Sequence, residues 1–298
     1  MYHTLILVVS FFVTLIAAHG RVTNITTSDG KVYTGWDPEL AESATPLPPL
    51  AAWKASNLGN IFVPPSKFNT SHISCHFNAT PGALHVNTTA GDTLKLQWNE
   101  WPTSHVGPVL TYLAACNASC TNVDKNLLQW VKIDELGWLN STGWDSMKLG
   151  GTWASNVLIK NGFTWTVKIP SALAAGTYVL RHEIIALHVA DQVDGAQAYP
   201  QCVNLRVATA GGGGGGAQGE SNKSLDGGVV GAKLYGMKDA GILVDVHKKI
   251  TGYQIPGPKV WSGATAFRQP NQRKQGIRRA WNGDSESDLR AGSTEMER

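Results

Sequence analysis

The chain has 298 residues, of which 16% are charged, and its formal net charge is only +3. A balance this close to neutral gives no case for nucleic-acid binding. After the first 18 residues, no segment is long and apolar enough to cross a membrane, so the composition also argues against a membrane-spanning protein.

The first residues of the chain have the pattern of a secretory leader. Residues Leu5 to Ala18 form an uncharged, mostly apolar run that is too short to span a bilayer and ends in small residues. The four residues before it contain no Lys or Arg, yet we predict a signal peptide at 1–18, with His19 as the first residue of the mature protein. Seven N-x-Ser/Thr glycosylation acceptors agree with a secreted, extracellular glycoprotein. They are Asn24, Asn69, Asn78, Asn87, Asn117, Asn140 and Asn222.

Four cysteines predict two disulfides in an oxidising compartment. Three pairings are possible from the sequence. Cys116 and Cys120 are close enough to close a short loop, which leaves Cys75 to reach Cys202. A zinc site is the alternative, but a lone C-x-x-x-C in a secreted protein is rarely one.

The remainder of the chain is rich in short β-forming runs. Residues 93–98, 163–169 and 178–188 alternate in hydrophobicity or are rich in β-formers, and pairs such as Pro81-Gly82 and Ala175-Gly176 bound them. Since neither a long amphipathic helix nor an internal repeat is apparent, the sequence predicts an all-β fold, a single antiparallel β-sandwich with long loops.

Six consecutive glycines at 211–216 resemble a linker. We interpret them as a loop instead, because the apolar, strand-like segments 241–247 and 253–258 are too short to fold alone and should return to the sandwich. The predicted domain therefore runs from 19 to 262. Residues 263–298, basic and then acidic and polar, are predicted to form a disordered tail.

A mature chain beginning at His19 would carry a chelating group. Its amine nitrogen and its ring Nδ1 can close a six-membered ring on one metal ion, and the amine, with a reference pKa near 8, releases its proton readily. A third nitrogen would complete a set that suits copper. His105, in a loop bounded by Pro102 and Pro108, is the candidate. Taken alone, His19 is more simply the residue after a cleavage site, and His105 a solvated loop histidine.

A second polar group lies at residues 181–188 (RHEIIALH) and 195–202 (GAQAYPQC). In a strand, His182 and His188 share one face, and Gln197 and Tyr199 do so if their segment is extended. The opening His-Glu is not a zinc-protease motif, because the second histidine follows six residues later rather than four. A structural strand with a buried, hydrogen-bonded histidine is the simpler alternative.

These segments resemble the fungal lytic polysaccharide monooxygenases of auxiliary activity family nine, formerly glycoside hydrolase family 61. The resemblance covers about residues 19–262 and is most specific in RHEIIALH followed by GAQAYPQC. The other matching segments, in chain order, are His19-Gly20, 75–82 (CHFNATPG), 104–113 (SHVGPVLTYL), 130–135 (WVKIDE), the surrounding run 165–207, and 253–258 (YQIPGP).

The resemblance implies an immunoglobulin/fibronectin-like sandwich with a flat, copper-bearing face. It makes His19, through its amine and ring, and His105 the ligands of one copper ion per chain, with Tyr199 at the axial position. His188 and Gln197 fall on positions that hydrogen-bond oxygen species beside the copper, and Tyr253 on one associated with the substrate surface. It also implies the disulfides Cys75–Cys202 and Cys116–Cys120.

The activity implied is oxidative cleavage of β-1,4-glucan, cellulose above all, by hydrogen abstraction at carbon 1 or carbon 4. The implied partners are hydrogen peroxide or dioxygen and an external electron donor, and the protein is expected to be a monomer. A non-catalytic carbohydrate- or copper-binding protein on this scaffold is the alternative. A conventional glycoside hydrolase ranks third, since the adjacent carboxylates Asp134 and Glu135 would point to opposite faces of a strand.

Overall fold

The computed structural model describes residues 20–43, 46–59, 61–147, 149–209 and 223–272. The predicted leader, His19, the glycine run 211–216, Asn222 and the tail beyond residue 272 lie outside these ranges. Within the described residues, no helix has both the length and the apolar composition that crossing a bilayer requires.

Short strands dominate the secondary structure, and the helices are brief. The strands are β1 (Val22–Thr26), β2 (Val32–Thr34), β3 (Val86–Thr89), β4 (Thr93–Trp98), β5 (Val109–Cys116), β6 (Gln129–Leu136), β7 (Trp138–Asn140), β8 (Thr152–Trp153), β9 (Thr164–Lys168), β10 (Gly176–Ala186), β11 (Gln197–Ala198), β12 (Gln201–Ala208) and β13 (Val229–Val230). The helices are α1 (Pro38–Ser43), α2 (His72–Cys75), α3 (Trp144–Met147) and α4 (Ala154–Lys160), with 3₁₀ turns at Pro65–Lys67 and Gly231–Lys233.

Two sheets form the predicted sandwich. The small sheet has the order β2-β1-β4-β9, and the large sheet has the order β13-β6-β5-β10-β12-β3, with β11 paired to β10. All of these pairs are antiparallel except β12 and β3, which run parallel. The expected β-sandwich is therefore confirmed, while its purely antiparallel character is wrong for this one pair. The long stretch of chain between β3 and β12 permits it, because a parallel pair requires a crossover connection.

Side-chain alternation explains how the two sheets pack. In β4, Leu94 and Leu96 are fully buried toward the large sheet, whereas Lys95 between them is exposed. Strand β10 is buried on both faces. Its even-numbered residues, such as Leu180, join the core between the sheets, and odd-numbered ones, such as Val179, pack under a layer of loops on the outer face of the large sheet.

The two disulfides link this loop layer to the large sheet. Cys75 is bonded to Cys202, and Cys116 to Cys120, with Cα atoms 5.4 Å apart in each pair. The first bond ties α2 to β12 across 127 residues, and the second closes the end of β5. These are the pairings that the resemblance implied.

The segment after the glycine run returns to the sandwich. Strand β13 pairs with β6, and the Trp261 N–H donates to the Lys132 carbonyl. Residues 263–272, which the sequence analysis assigned to the tail, also contact the sandwich, since the Gln269 side chain bonds both the N–H and the C=O of Thr166 in β9.

The expectation that 241–247 and 253–258 are strand-like is wrong. Neither segment pairs into a sheet. Ile242 closes a turn on Asp239, and Gly257 has a φ of 88°, which an extended strand does not accommodate.

Four of the glycosylation acceptors are exposed, as their use would require: Asn69, Asn78, Asn87 and Asn117. Asn24 in β1 and Asn140 in β7 are half-buried.

Candidate functional site

Two histidines meet where β5 begins and β10 ends. The backbone pairing of these strands continues beyond them, because the Leu187 N–H donates to the Val106 carbonyl at 2.8 Å. Gly107 is required there, since a Cβ would overlap the carbonyl oxygen of Ile185. This extension places the rings of His105 and His188 side by side, with their centroids 3.9 Å apart.

The His105 loop is fixed by its neighbours. The Trp101 indole N–H donates to the His105 carbonyl at 2.8 Å, and the His105 N–H bonds the Pro102 carbonyl. Ser104 Oγ lies 3.1 Å from His105 Nδ1. This contact engages Nδ1 of the His105 ring. The predicted solvated loop histidine is thus a mostly buried side chain, 8% exposed, in an ordered loop.

Gln197 and Tyr199 lie beside the histidines on the adjoining chain. Gln197 is paired with Ala186 at the end of β10, and the Tyr199 N–H donates to the Ile184 carbonyl. The Tyr199 hydroxyl donates to Gln197 Oε1 at 2.7 Å, which leaves the Gln197 amide nitrogen as the hydrogen-bond donor of that side chain. Burial raises the pKa of Tyr199, so the phenol remains protonated.

Trp101 joins the two halves of the site. Its ring meets the His105 ring edge-on, with centroids 6.0 Å apart, and the Tyr199 ring edge-on at 5.1 Å. This contact brings His105, His188, Gln197 and Tyr199 into one polar cluster at the end of the sandwich.

The N-terminal arm, residues 20–22, enters this cluster. Gly20, the first described residue, lines a small cavity together with Tyr199, Gln201 and His76. His19, which precedes Gly20 in the sequence, lies outside the described residues.

The donors of the cluster fit copper in kind. An imidazole nitrogen and a phenol oxygen are ligands that copper accepts. However, no group of three or more His, Cys, Asp or Glu side chains within the described ranges is arranged to hold a metal ion. A metal bound here would need the nitrogens that precede Gly20, so the set of His19, His105 and Tyr199 stays a prediction.

His182 does not belong to this cluster. Strand β10 ends at Ala186, so the face that the sequence analysis gave to both histidines does not continue to His188, which lies in the following turn. The His182 ring is buried next to Trp98, and its Nδ1 is 3.0 Å from Thr111 Oγ1. Burial lowers the pKa of His182 to about 3, with a smaller contribution from the charge of Arg181. It is the buried, hydrogen-bonded histidine of the simpler interpretation.

Tyr253 is half-buried, and its hydroxyl is occupied. The hydroxyl donates to the Gly241 carbonyl at 2.7 Å, and the ring packs edge-on against Trp153, with centroids 4.8 Å apart. Burial raises the pKa of this hydroxyl. Only the ring can therefore contact a sugar, and its role in substrate binding stays a prediction.

Sequence reasoning missed the residues that orient the histidines. Trp101 and Ser104 orient His105, and His247 Nε2 lies 2.8 Å from the carbonyl oxygen of His188. Ser104 adjoins His105 and could have been considered from the sequence. His247 comes from a segment 59 residues away and carries no local signal.

Comparison with known protein families shows the family of this chain. The model of Auxiliary Activity family 9, formerly GH61, matches residues 19–254. The chain belongs to this family. Its members in curated collections include AA9 family lytic polysaccharide monooxygenase H of Thermothelomyces thermophilus, which is 46% identical over 85% of this chain and 68% of the relative. Lytic polysaccharide monooxygenase I of Botryotinia fuckeliana is 43% identical over 86% of this chain and 90% of the relative.

Solved structures agree with the fold. The extended catalytic domain of H. jecorina LPMO9A superposes with a TM-score of 0.72 at 42% identity, covering 83% of this chain and 92% of that one. Cel61B of Hypocrea jecorina, a glycoside hydrolase family 61 member, gives a TM-score of 0.70 at 39% identity, covering 82% and 100%. The predicted family, the sandwich fold and the class of enzyme are confirmed. The protein is a lytic polysaccharide monooxygenase, an oxidoreductase that cleaves polysaccharides oxidatively.

Proposed function

We propose that this family 9 monooxygenase uses one copper ion to cleave β-1,4-glucan, with cellulose as its substrate, by hydrogen abstraction at carbon 1 or carbon 4. The observation that carries the proposal is the convergence of three segments on one cluster. The loop of His105, the turn of His188 with the Gln197–Tyr199 pair, and the arm that begins at Gly20 all meet at the end of the sandwich.

Copper would be held by the amine and ring of His19, the ring of His105 and the phenol of Tyr199. This assignment requires secretion and cleavage after Ala18, since only then does residue 19 carry a free amine. Copper in this set supplies the one-electron chemistry with which an external reductant activates dioxygen or hydrogen peroxide.

The neighbouring side chains bind and orient the oxygen co-substrate. Gln197, whose Oε1 accepts from Tyr199, and His188, whose ring lies beside that of His105, would be the side chains that hydrogen-bond an oxygen species. The protonated Tyr199 phenol adds no negative charge to the site. Trp101, packed against both His105 and Tyr199, closes the inner side of the cluster to water.

The shape of the site favours an extended polymer. The cavity beside Gly20 and Tyr199 is too small for a sugar unit. We therefore propose that a glucan lies across the surface, as expected for a flat face acting on a crystalline chain. We place the catalytic domain at 19–262 and propose that the protein acts outside the cell as a monomer.

Analysis of soluble products tests the proposal. Protein that begins at His19 would be loaded with copper, incubated with cellulose and ascorbate, and its products measured by mass spectrometry. We expect aldonic acids or ketone-bearing oligosaccharides that disappear without reductant, and their type identifies the carbon attacked. Unoxidised oligosaccharides would refute oxidative cleavage, and an absence of products on cellulose would refute the substrate.

A further inference from the structure

The backbone of the N-terminal arm is bonded by side chains that no part of the proposed chemistry uses. The Arg21 N–H donates to Asn99 Oδ1 at 2.7 Å, and the Asn99 N–H donates to the Arg21 carbonyl at 3.0 Å. One residue thus engages both backbone groups of Arg21. A single bond would leave the peptide free to rotate, whereas two opposed bonds fix its direction.

A second side chain engages the next residue. The Val22 N–H donates to Gln201 Oε1 at 2.6 Å, across 179 residues of sequence. Val22 is the first residue of β1, and a strand at this position would ordinarily satisfy that N–H from a neighbouring strand. Here a side chain from the start of β12 satisfies it.

Contacts at Gly20 and at the Arg21 side chain restrict the arm further. A Cβ on Gly20 would overlap the carbonyl oxygen of Glu100, so the backbone of the arm lies directly against the residue that follows Asn99. The Arg21 guanidinium, nearly buried, lies 2.9 Å from an Asp37 carboxylate oxygen and 3.0 Å from one of Glu39. These ion pairs draw the positive charge toward α1.

Asn99 and Gln201 come from the two chain segments that carry the other expected copper ligands. Asn99 lies two residues before Trp101, which fixes the carbonyl of His105, and Gln201 lies two residues after Tyr199. Each therefore belongs to a segment that carries one of the other expected copper ligands. Bonds from both segments set the arm in a fixed relation to both.

We propose that Asn99 and Gln201 are positioning residues that clamp the N-terminal arm at Arg21 and Val22, so that it is held in a fixed position beside the cluster of His105 and Tyr199 before copper arrives. This inference rests on the proposed copper function. The clamp reduces the ordering that metal binding would otherwise require, and so raises affinity without contacting the metal.

Copper affinity of clamp variants tests the proposal. Asn99→Ala and Gln201→Ala would be compared with the unaltered protein, all beginning at His19, by calorimetric titration and by electron paramagnetic resonance of the copper form. We expect each variant to bind copper about 10- to 100-fold more weakly, with an altered spectrum. Gln201→Glu, which keeps an oxygen acceptor for the Val22 N–H, should restore most of the affinity.

Gln269→Ala is the matched control. It also removes a glutamine oxygen that accepts a strand N–H, that of Thr166 in β9, but it does not touch the arm. We expect the affinity and the spectrum of this variant to equal those of the unaltered protein.

Hydrogen exchange in the metal-free proteins separates the clamp from the copper function. The Arg21 amide should exchange faster in Asn99→Ala, and the Val22 amide should exchange faster in Gln201→Ala. In Gln269→Ala, both amides should exchange at the rate of the unaltered protein. Unaltered affinity and spectrum in both clamp variants, while the parent protein binds copper tightly, would overturn the clamp alone. Failure of the parent protein to bind copper would overturn both the clamp and the proposed function.

Discussion

Strand β10 separates two polar clusters that are built in opposite ways. The closed cluster lies under the loop layer on the outer face of the large sheet, where Arg181, Glu183, Tyr112 and Tyr235 are fully or almost fully buried. The open cluster, consisting of His105, His188, Gln197 and Tyr199, lies beyond the end of the strand.

The polar side chains of the closed cluster are hydrogen-bonded to one another and to nearby backbone carbonyls. The Arg181 guanidinium donates to both carboxylate oxygens of Glu183 and to the Ile73 carbonyl, and the Tyr235 hydroxyl donates to Glu183. The hydroxyls of Tyr112 and Tyr235 are 2.8 Å apart. Burial raises the pKa of both tyrosines. With every charge paired inside the protein, this cluster links the loop layer to the sheet.

The open cluster uses its internal bonds differently. The Tyr199–Gln197 bond and the Ser104–His105 contact orient the side chains of this cluster. Polar residues within β10, such as Arg181 and Glu183, are enclosed by the loop layer, whereas His188 follows the end of the strand.

The largest effect on stability is expected in the closed cluster. Glu183→Ala leaves the Arg181 charge buried without its partner, so the free energy of unfolding should fall by about 3–5 kcal/mol. Urea denaturation measures this change. Lys248→Ala is the control, since Lys248 pairs with Asp245 while 80% exposed and its loss should leave the free energy of unfolding nearly unchanged. Equal effects of the two variants would contradict the account of the closed cluster.

In the open cluster, the expected loss is in activity. Gln197→Ala should spare copper binding and lower turnover by about 10- to 100-fold, because it removes a donor beside the metal rather than a ligand. His19→Ala should abolish tight copper binding. Titration with copper and oxidised-product formation measure the two effects. Comparable turnover of both variants at saturating copper would refute this division of roles.

His182, buried against Trp98 and Trp165 between the two sheets, should make stability depend on pH. Its pKa of about 3 in the folded protein lies below the ordinary value of 6.5, so between these values the unfolded chain binds a proton that the folded chain does not. The stability contributed by the neutral ring is complete above pH 6.5 and is lost as the pH falls, at up to about 1.4 kcal/mol per pH unit.

His182→Asn provides the comparison for this effect. The Asn amide can take the place of Nδ1 toward Thr111 but does not titrate. The difference in unfolding free energy between the two proteins should therefore narrow as the pH is lowered from 7 to 4. Parallel curves would show that His182 does not titrate in this way.

The smallest effect is expected for Tyr199→Phe. It removes the hydroxyl that donates to Gln197 Oε1, so the free energy of unfolding should fall by about 1 kcal/mol. Thermal unfolding of the metal-free protein measures it. A loss as large as that of Glu183→Ala would show that the open cluster, too, is chiefly structural.

Local patterns predicted the strands but not the clusters. Residues 93–98 form β4 as expected, because alternation reports which face is buried. The apolar run 241–247 was misread as strand-like, since its burial comes from loops rather than from a neighbouring strand. Whether an apolar run finds a strand partner depends on residues far away in the sequence.

The site residues were predicted through the resemblance, but the distant residues that hold the surrounding structure in place by hydrogen bonds were not. His105, His188, Gln197 and Tyr199 lie in recognisable segments. The bond between Gln201 and Val22 spans 179 residues, and that between Arg181 and Tyr235 spans 54. Such pairs have no local spacing rule, so only the folded chain reveals them.

The central claim is that the open cluster becomes a copper site only when residue 19 is the N-terminus. Copper titration of protein beginning at His19, beside protein that retains Ala18, tests it most directly. We predict tight one-to-one binding for the first and much weaker binding for the second, whose residue 19 has no free amine. Equal affinities would contradict the account.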